Sequence, residues 1–170
     1  FCLGISTPHH VKEESALWQR CLRKVENRLQ SFTDESEINR ARRTISDRCK
    51  AAAKWGAGIY RLNIPTGGGK TLAALRYALA TAAEHEKQRI IFVIPLLSIL
   101  DQNAKVIREY LDDDKLILEH HSNVIQEKSG DKLDENELLM ETWAAPVVIT
   151  TLVQLLNTLF SGKPDRKSVV

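Results

Sequence analysis

The chain predicts an incomplete, doubly wound α/β domain built on a parallel sheet and preceded by a helical segment. Three observations predict it. From residue 57 onward, apolar strand-like runs alternate with amphipathic helical runs, a pattern that right-handed crossovers turn into a parallel sheet flanked by helices. One of those runs, Arg89-Ile90-Ile91-Phe92-Val93-Ile94, is almost continuously apolar, as a strand covered on both faces would be. Before residue 57 the apolar positions recur at steps of three and four, which is a helical period. The expected division is 1–56 as helices leading into the domain and 57–170 as the α/β lobe.

Each element has its own signal. Residues 1–12 are ambiguous: Pro8-His9-His10 could be a loop at the end of a preceding domain, and an adjacent pair such as His9 and His10 lacks a metal-ligand spacing. They therefore read as polar loop residues, with a metal site as the alternative. A helix over about 13–31 puts Leu17, Cys21, Val25, Leu29 and Phe32 on one side. Asp34 followed by Glu37 marks the next helix start. That helix runs to about Trp55 with Ile38, Ala41, Ile45, Cys49 and Ala52 together, and Gly56 and Gly58 end it. A first strand is expected at 59–64, then a glycine loop, then a helix to about Glu86 with Leu72, Leu75, Leu79 and Ala82 inward. Pro95 closes the second strand, and a helix over about 98–111 turns Leu100, Ala104, Ile107 and Leu111 to one face. Asp112, Asp113 and Asp114 follow it, where negative charge disfavours further helix. A third strand is expected at 116–120, an acidic surface loop at 126–137 and a short helix near 138–143. A fourth strand at 147–150 leads to a helix over 151–160 that buries Leu152, Leu155, Leu156 and Leu159.

Length and composition fit one domain: 170 residues, 43% of them hydrophobic, are enough for a substantial core. The net charge of +2 says little about partners. Its distribution says more, since residues 111–143 carry 10 acidic and 3 basic residues while 1–110 carry 11 and 18. That suits a polyanion-binding face with an acidic excursion elsewhere, and solvated faces alone would also produce it. Cys2, Cys21 and Cys49 form neither a metal-type pair nor a disulfide framework, so a reducing, cytoplasmic setting is expected. No signal peptide is visible, and a first residue of Phe rather than Met suggests a piece of a longer chain. The longest apolar run, 90–100, is too short for a bilayer and contains Pro95, so no membrane partner is expected.

The most informative stretch is Ile64-Pro65-Thr66-Gly67-Gly68-Gly69-Lys70-Thr71. Strand, glycine-rich loop ending in Gly-Lys-Thr, then helix is the layout that cradles nucleotide phosphates. Glycines allow positive φ, so that backbone N–H groups can turn around an anion. Lys70 offers a positive charge for the β and γ phosphates, Thr71 a hydroxyl for Mg²⁺, and the helix start a favourable dipole. The strict pattern has a glycine where Ile64 stands, and the plain alternative is a glycine-rich turn with an incidental lysine. Two other strand ends look functional: Pro95-Leu96-Leu97-Ser98, opening the helix of Asp101 and Gln102, and Thr150-Thr151, opening the last helix. Hydroxyls and free N–H groups at a helix start can grip a phosphodiester backbone without reading bases. Simple helix capping is the alternative for both.

Pro-Thr-Gly-Gly-Gly-Lys-Thr, Val-Ile-Pro-Leu-Leu-Ser-Ile-Leu-Asp-Gln and Val-Val-Ile-Thr-Thr-Leu-Val-Gln-Leu-Leu together resemble motifs I, Ia and Ib of superfamily 2 helicases. Leu118-Glu119-His120-His121-Ser122 and Leu159-Phe160-Ser161-Gly162-Lys163 narrow the resemblance to the helicase part of the CRISPR-associated helicase–nuclease of type I systems, over roughly residues 36–165. The resemblance implies a P-loop NTPase, the first RecA-like lobe of an ATP-dependent DNA helicase. It implies ATP and Mg²⁺ as cofactors, single-stranded DNA as substrate, and recruitment by the RNA-guided Cascade complex. The motor would reel DNA into an attached histidine–aspartate nuclease domain.

Residue by residue, the resemblance implies that Pro65, Thr66, Gly67, Gly68, Gly69, Lys70 and Thr71 hold the nucleotide. Lys70 and Thr71 would be the catalytic pair, with Thr71 on Mg²⁺. Asn39 and Arg42 resemble a segment near the nucleotide. Pro95, Ser98, Thr150 and Thr151 would lie along the DNA backbone. His120 and His121 belong to the resemblance without a derived role and read as a packed, hydrogen-bonded pair. No His-Asp dipeptide occurs and the Asp-Glu-x-His type motif is missing, so the chain alone is expected to bind nucleotide without turnover. Another superfamily 2 translocase, such as a restriction motor, and a non-hydrolysing ATP-gated scaffold stay open as readings.

Overall fold

The computed structural model describes residues 8–32, 36–121 and 143–160. Its elements are α1 (Pro8–Gln30), α2 (Glu37–Ala52), a 3₁₀ turn (Ala53–Trp55), α3 (Lys70–Glu84), β1 (Ile90–Ile94), α4 (Leu97–Leu111), a second 3₁₀ turn (Asp114–Leu116), β2 (Ile117–His120), β3 (Val147–Thr151) and α5 (Leu152–Phe160). They fall into two compact units. One holds the described residues up to 88 together with 109–112; the other holds 89–108 and the described residues from 113 onward. The expected acidic loop at 126–137, the short helix before Trp143, and Asp34 lie outside the described residues.

The helical unit is assembled on α1, α2 and α3. In α1 the buried stripe is Trp18, Cys21 and Val25, while Phe32, just past its end, is half exposed. The sequence pattern passes over Trp18, yet it is fully buried with its indole N–H donating to the Lys87 carbonyl at 2.5 Å. α1 also begins earlier than expected, at Pro8, so His9 and His10 sit in its first turn and not in a loop. Ser36 caps α2 by accepting the Asn39 N–H at 3.1 Å, the usual service of a serine N-cap. α3 buries Ala73, Leu75, Leu79 and Ala82 as its period predicts. Lys24 donates to the carbonyls of Leu111 and Asp112, at 2.9 and 3.1 Å, placing a cation on carbonyls that a helix end leaves open.

Arg76 ties the three helices together. Its side chain is 8% exposed and forms a two-point pair with Glu26 of α1, Nε to Oε1 at 2.6 Å and Nη2 to Oε2 at 2.7 Å. Nη1 donates to Asp47 and Ser46 of α2. Lys50 adds a second cation 3.2 Å from Glu26. Burial by itself would raise the Glu26 pKa, but the hydrogen bonds and charge of Arg76, then those of Lys50, outweigh it and hold the carboxyl below its ordinary value.

Among the described residues, the sheet unit has three parallel strands in the order β1-β3-β2. Central β3 is covered on both sides, with Val147 to Thr150 all buried. β1 differs from the expectation of a strand buried on both faces: Ile91 and Val93, which share one face, are 41% and 39% exposed, so the described residues leave that face open. α4 turns Leu100, Ala104, Ile107 and Leu111 inward, as its spacing predicts. α5 does not keep its expected face. Leu155 packs against Leu118, Trp143, Ala145 and Val148, Thr158 is buried, and Leu152, Leu156 and Leu159 remain exposed.

The α/β class is the one the sequence predicts, but the expected first strand is not formed. Residues 59–65 pair with no strand. Tyr60 instead sits between Trp55 and Tyr77, with ring centroids 5.6 and 6.3 Å away, and its hydroxyl donates to the Gly56 carbonyl at 3.1 Å. Ile64 anchors the other end of the segment against Cys49 and Ala73. Among the described residues no helix is long and apolar enough to cross a membrane.

Glu26→Gln leaves Arg76 without its two-point partner. The unfolding free energy from urea titration at pH 7 is expected to fall by about 3 kcal/mol, the low end for breaking a buried pair, since Glu26 keeps some solvent contact. Because the folded-state pKa of Glu26 is lowered, the pair contributes fully above about pH 5 and is lost as pH falls through the folded value. The stability gap between the wild type and Glu26→Gln should therefore close on acidification.

Candidate functional site

The glycine loop takes the form its residues are suited to. Gly67 and Gly69 both have φ of +79°, the left-handed region that other residues enter at a cost. Gly68 is required for a different reason. A Cβ there would lie 2.5 Å from Ile64 Cγ2 and 3.0 Å from the Pro65 carbonyl oxygen, so the loop closes onto a position that has no room for a side chain. A turn bond from the Gly68 N–H to the Pro65 carbonyl, 3.0 Å, fixes that closure. Gly69 then serves as N-cap of α3, and Lys70 and Thr71 are its first two residues. Lys70 is exposed and Thr71 half-buried. Left-handed glycines running into a helix start form a concavity suited to an anion. A phosphate group with Mg²⁺ fits this donor set: an ammonium, a hydroxyl and a glycine-lined backbone loop at a helix start.

Asn39 and Arg42 come to the same place. Arg42 Nε donates to the Gly67 carbonyl at 2.9 Å, and its Nη1 reaches Asn39 Oδ1 at 3.5 Å. Beside them lies a cavity of about 230 Å³, whose wall includes Asn39, Arg42, Gly69, Leu72 and Arg76. The Arg76 cluster thus forms part of this cavity as well as joining the helices. Sequence reading missed Arg76, Glu26 and Asp47, because charged residues at helical spacing read as solvated faces. The available signal was an arginine on the inward side of α3, between Leu75 and Leu79.

In the sheet unit, the strand ends hold the other predicted residues. Pro95 and Ser98 are exposed, between β1 and the first turn of α4. Thr151 accepts the Gln154 N–H on its hydroxyl at 3.3 Å, capping α5. Thr150 is fully buried, and its hydroxyl donates to the His120 carbonyl at 2.8 Å, so that side chain is spent within the sheet. His120 is also structural. Its Nδ1 accepts from the Trp143 indole at 2.9 Å, and the two rings meet edge-on. His121 is buried beyond the end of β2, with Nε2 3.5 Å from Glu119 Oε2 and 3.9 Å from Asp101 Oδ1.

The profile of the family described as type III restriction enzyme, res subunit, matches residues 19–168. No curated protein matches the chain closely enough to add to this. The matched span takes in the glycine loop, the Asn39–Arg42 contact and the whole described sheet. The chain belongs to the type III restriction enzyme res subunit family, as an ATP-binding motor lobe of the superfamily 2 helicase and translocase kind with an incomplete RecA-like P-loop fold.

Proposed function

We propose that the chain is the ATP-binding lobe of the DNA-reeling motor in a CRISPR-associated helicase–nuclease of type I systems. In that role Cascade recruits the motor to an opened target, in the cytoplasm, and single-stranded DNA is drawn towards an attached nuclease domain. The ATP-binding part of the reading is carried by the loop geometry: two left-handed glycines, a third with no room for a Cβ, and Arg42 bonded to the Gly67 carbonyl. The finer assignment is supported by the stretches Leu118 to Ser122 and Leu159 to Lys163.

On this reading Pro65 to Gly69 supply the backbone cradle, Lys70 the positive charge towards the β and γ phosphates, and Thr71 the hydroxyl for Mg²⁺. When bound, Mg²⁺ neutralises charge on the phosphates. Arg42, steadied by Asn39, holds the loop from outside and borders the cavity in which the rest of a nucleotide would lie. Exposed Pro95 and Ser98 and half-buried Thr151 offer backbone and hydroxyl groups for a phosphodiester chain, and Thr150 positions Thr151 from within the sheet. The family match is equally compatible with a second reading, a restriction-type motor lobe with the same nucleotide chemistry.

In the full-length motor, ATP turnover is expected only with single-stranded DNA present; full turnover without DNA would sink the coupling. Stimulation by Cascade on an opened target supports the CRISPR reading, whereas indifference to Cascade favours the restriction-type motor. Lys70→Ala should cut turnover at least about 100-fold, as loss of one electrostatic contact to a reacting group does. Lys70 is exposed, so its melting temperature should not move; unchanged turnover would refute the assigned role. For the chain itself, Mg·ATP at about 100 times its Kd should stabilise by about 2.7 kcal/mol in a thermal-shift titration. Arg42→Ala should shrink that shift by weakening the loop's support.

A further inference from the structure

We propose a divalent transition-metal site, best suited to zinc, formed by Asp101 of α4, Glu119 of β2 and His121 just past β2. It uses none of the residues assigned to the nucleotide. Each of the three offers a ligand atom, and these atoms all lie within 4.8 Å of one another. Glu119 and His121 are two residues apart, and the period of a strand puts such residues on one side. Asp101, in the second turn of α4, reaches the same point.

The distances suit ligands better than hydrogen-bond partners. His121 Nε2 lies 3.5 Å from Glu119 Oε2 and 3.9 Å from Asp101 Oδ1. A good N–H···O bond centres near about 2.9 Å. Tetrahedral coordination with bonds of about 2.0–2.2 Å separates neighbouring ligand atoms by about 3.3–3.6 Å. Glu119 and His121 stand at that separation, and Asp101, 3.9 Å from Nε2 and exposed, has room to close the remainder.

The histidine supplies the independent observation. Its side chain is 5% exposed, and Nδ1 finds no hydrogen-bond partner among the described residues. A neutral imidazole carries one N–H and one lone pair. With the proton on Nδ1, the Nε2 lone pair faces two carboxylates, an arrangement made favourable by a positive charge at Nε2, either a second proton or a metal ion. With the proton on Nε2, the bond to Glu119 is long and the Nδ1 lone pair is buried without a donor. A metal ion takes the lone pair at Nε2 and fixes the proton on Nδ1, for which the described residues offer no acceptor.

The surroundings orient the ligands. Arg108 holds the other oxygen of Glu119, with Nε and Nη2 at 2.8 and 2.6 Å from Oε1, which presents Oε2 to His121. Ligating carboxylates are commonly fixed in this way. Asp114 pairs with Arg108 at 2.8 Å, so Asp101, Glu119 and Asp114 against one guanidinium leave two negative charges for a divalent ion. One imidazole and two carboxylates suit zinc, with a fourth position for water. Magnesium, which prefers oxygen ligands and near-octahedral geometry, suits them poorly. The ion would fasten the start of α4, which carries Ser98, to the carboxyl end of β2.

The test is zinc titration into the EDTA-treated chain by isothermal calorimetry, with cobalt as a spectroscopic probe. One equivalent of zinc is expected, with a cobalt spectrum of tetrahedral nitrogen and oxygen coordination. Asp101→Asn and Glu119→Gln should each weaken binding at least about tenfold. Asp101 is 61% exposed, so Asp101→Asn keeps the test decisive even where a change at buried His121 prevents folding. No zinc binding, binding unchanged in both variants, or a cobalt spectrum dominated by thiolate would overturn the proposal.

Discussion

The guanidinium of Arg76 joins α1, α2 and α3 through Glu26, Asp47 and Ser46, and the glycine loop depends on that junction. α3 begins at the loop, and Arg76 lies less than two turns further on. Taking a charge out of water costs several kcal/mol unless its partners meet it with good geometry. Two-point pairing with Glu26 supplies that geometry, and the planar fork of an arginine is what makes it possible. A lysine here could reach one carboxylate but could not span two helices with fixed angles. The constraint is directional, so it settles how the helices are turned as well as whether they associate.

The same physics explains the one departure of the loop from the strict phosphate-binding pattern. Ile64 stands where a glycine would be, and its side chain is buried against Cys49 and Ala73 while covering the empty side of Gly68. A glycine at 64 would give the loop freedom; an isoleucine anchors it to α2 and α3. The freedom is kept at Gly67 and Gly69. Arg42 adds a hold from the other side, through the Gly67 carbonyl. Fixing an anion-binding loop before the anion arrives lowers the ordering cost of binding.

In the sheet unit, the strand ends combine packing with chemistry. His120, Trp143 and Thr150 form a buried hydrogen-bonded set, which accounts for half of the adjacent histidine pair as structure. The other half, His121, turns towards Asp101 and Glu119. Neighbouring residues at the end of a strand point to opposite sides, so one histidine pair serves two separate environments.

Most helices, the parallel class of the sheet, the glycine loop and the buried faces of α3 and α4 were legible in the sequence. Period and turn chemistry are local, and local rules fix them. Sequence alone also singled out Asn39, Arg42 and the Glu119–His121 stretch, though by resemblance and not by physics. Tertiary structure decided the rest. It packed Tyr60 between Trp55 and Tyr77 and left 59–65 unpaired; an apolar run that suits a strand equally suits an aromatic contact. It left Leu152, Leu156 and Leu159 of α5 exposed, since period names a face but not what will cover it. It brought Arg76 to Glu26, 50 residues away, and Asp101 to His121. Sequence determines what each residue can do nearby, while which distant charges meet depends on how whole elements pack. That is settled by the summed burial of the core and not by any spacing visible along the chain.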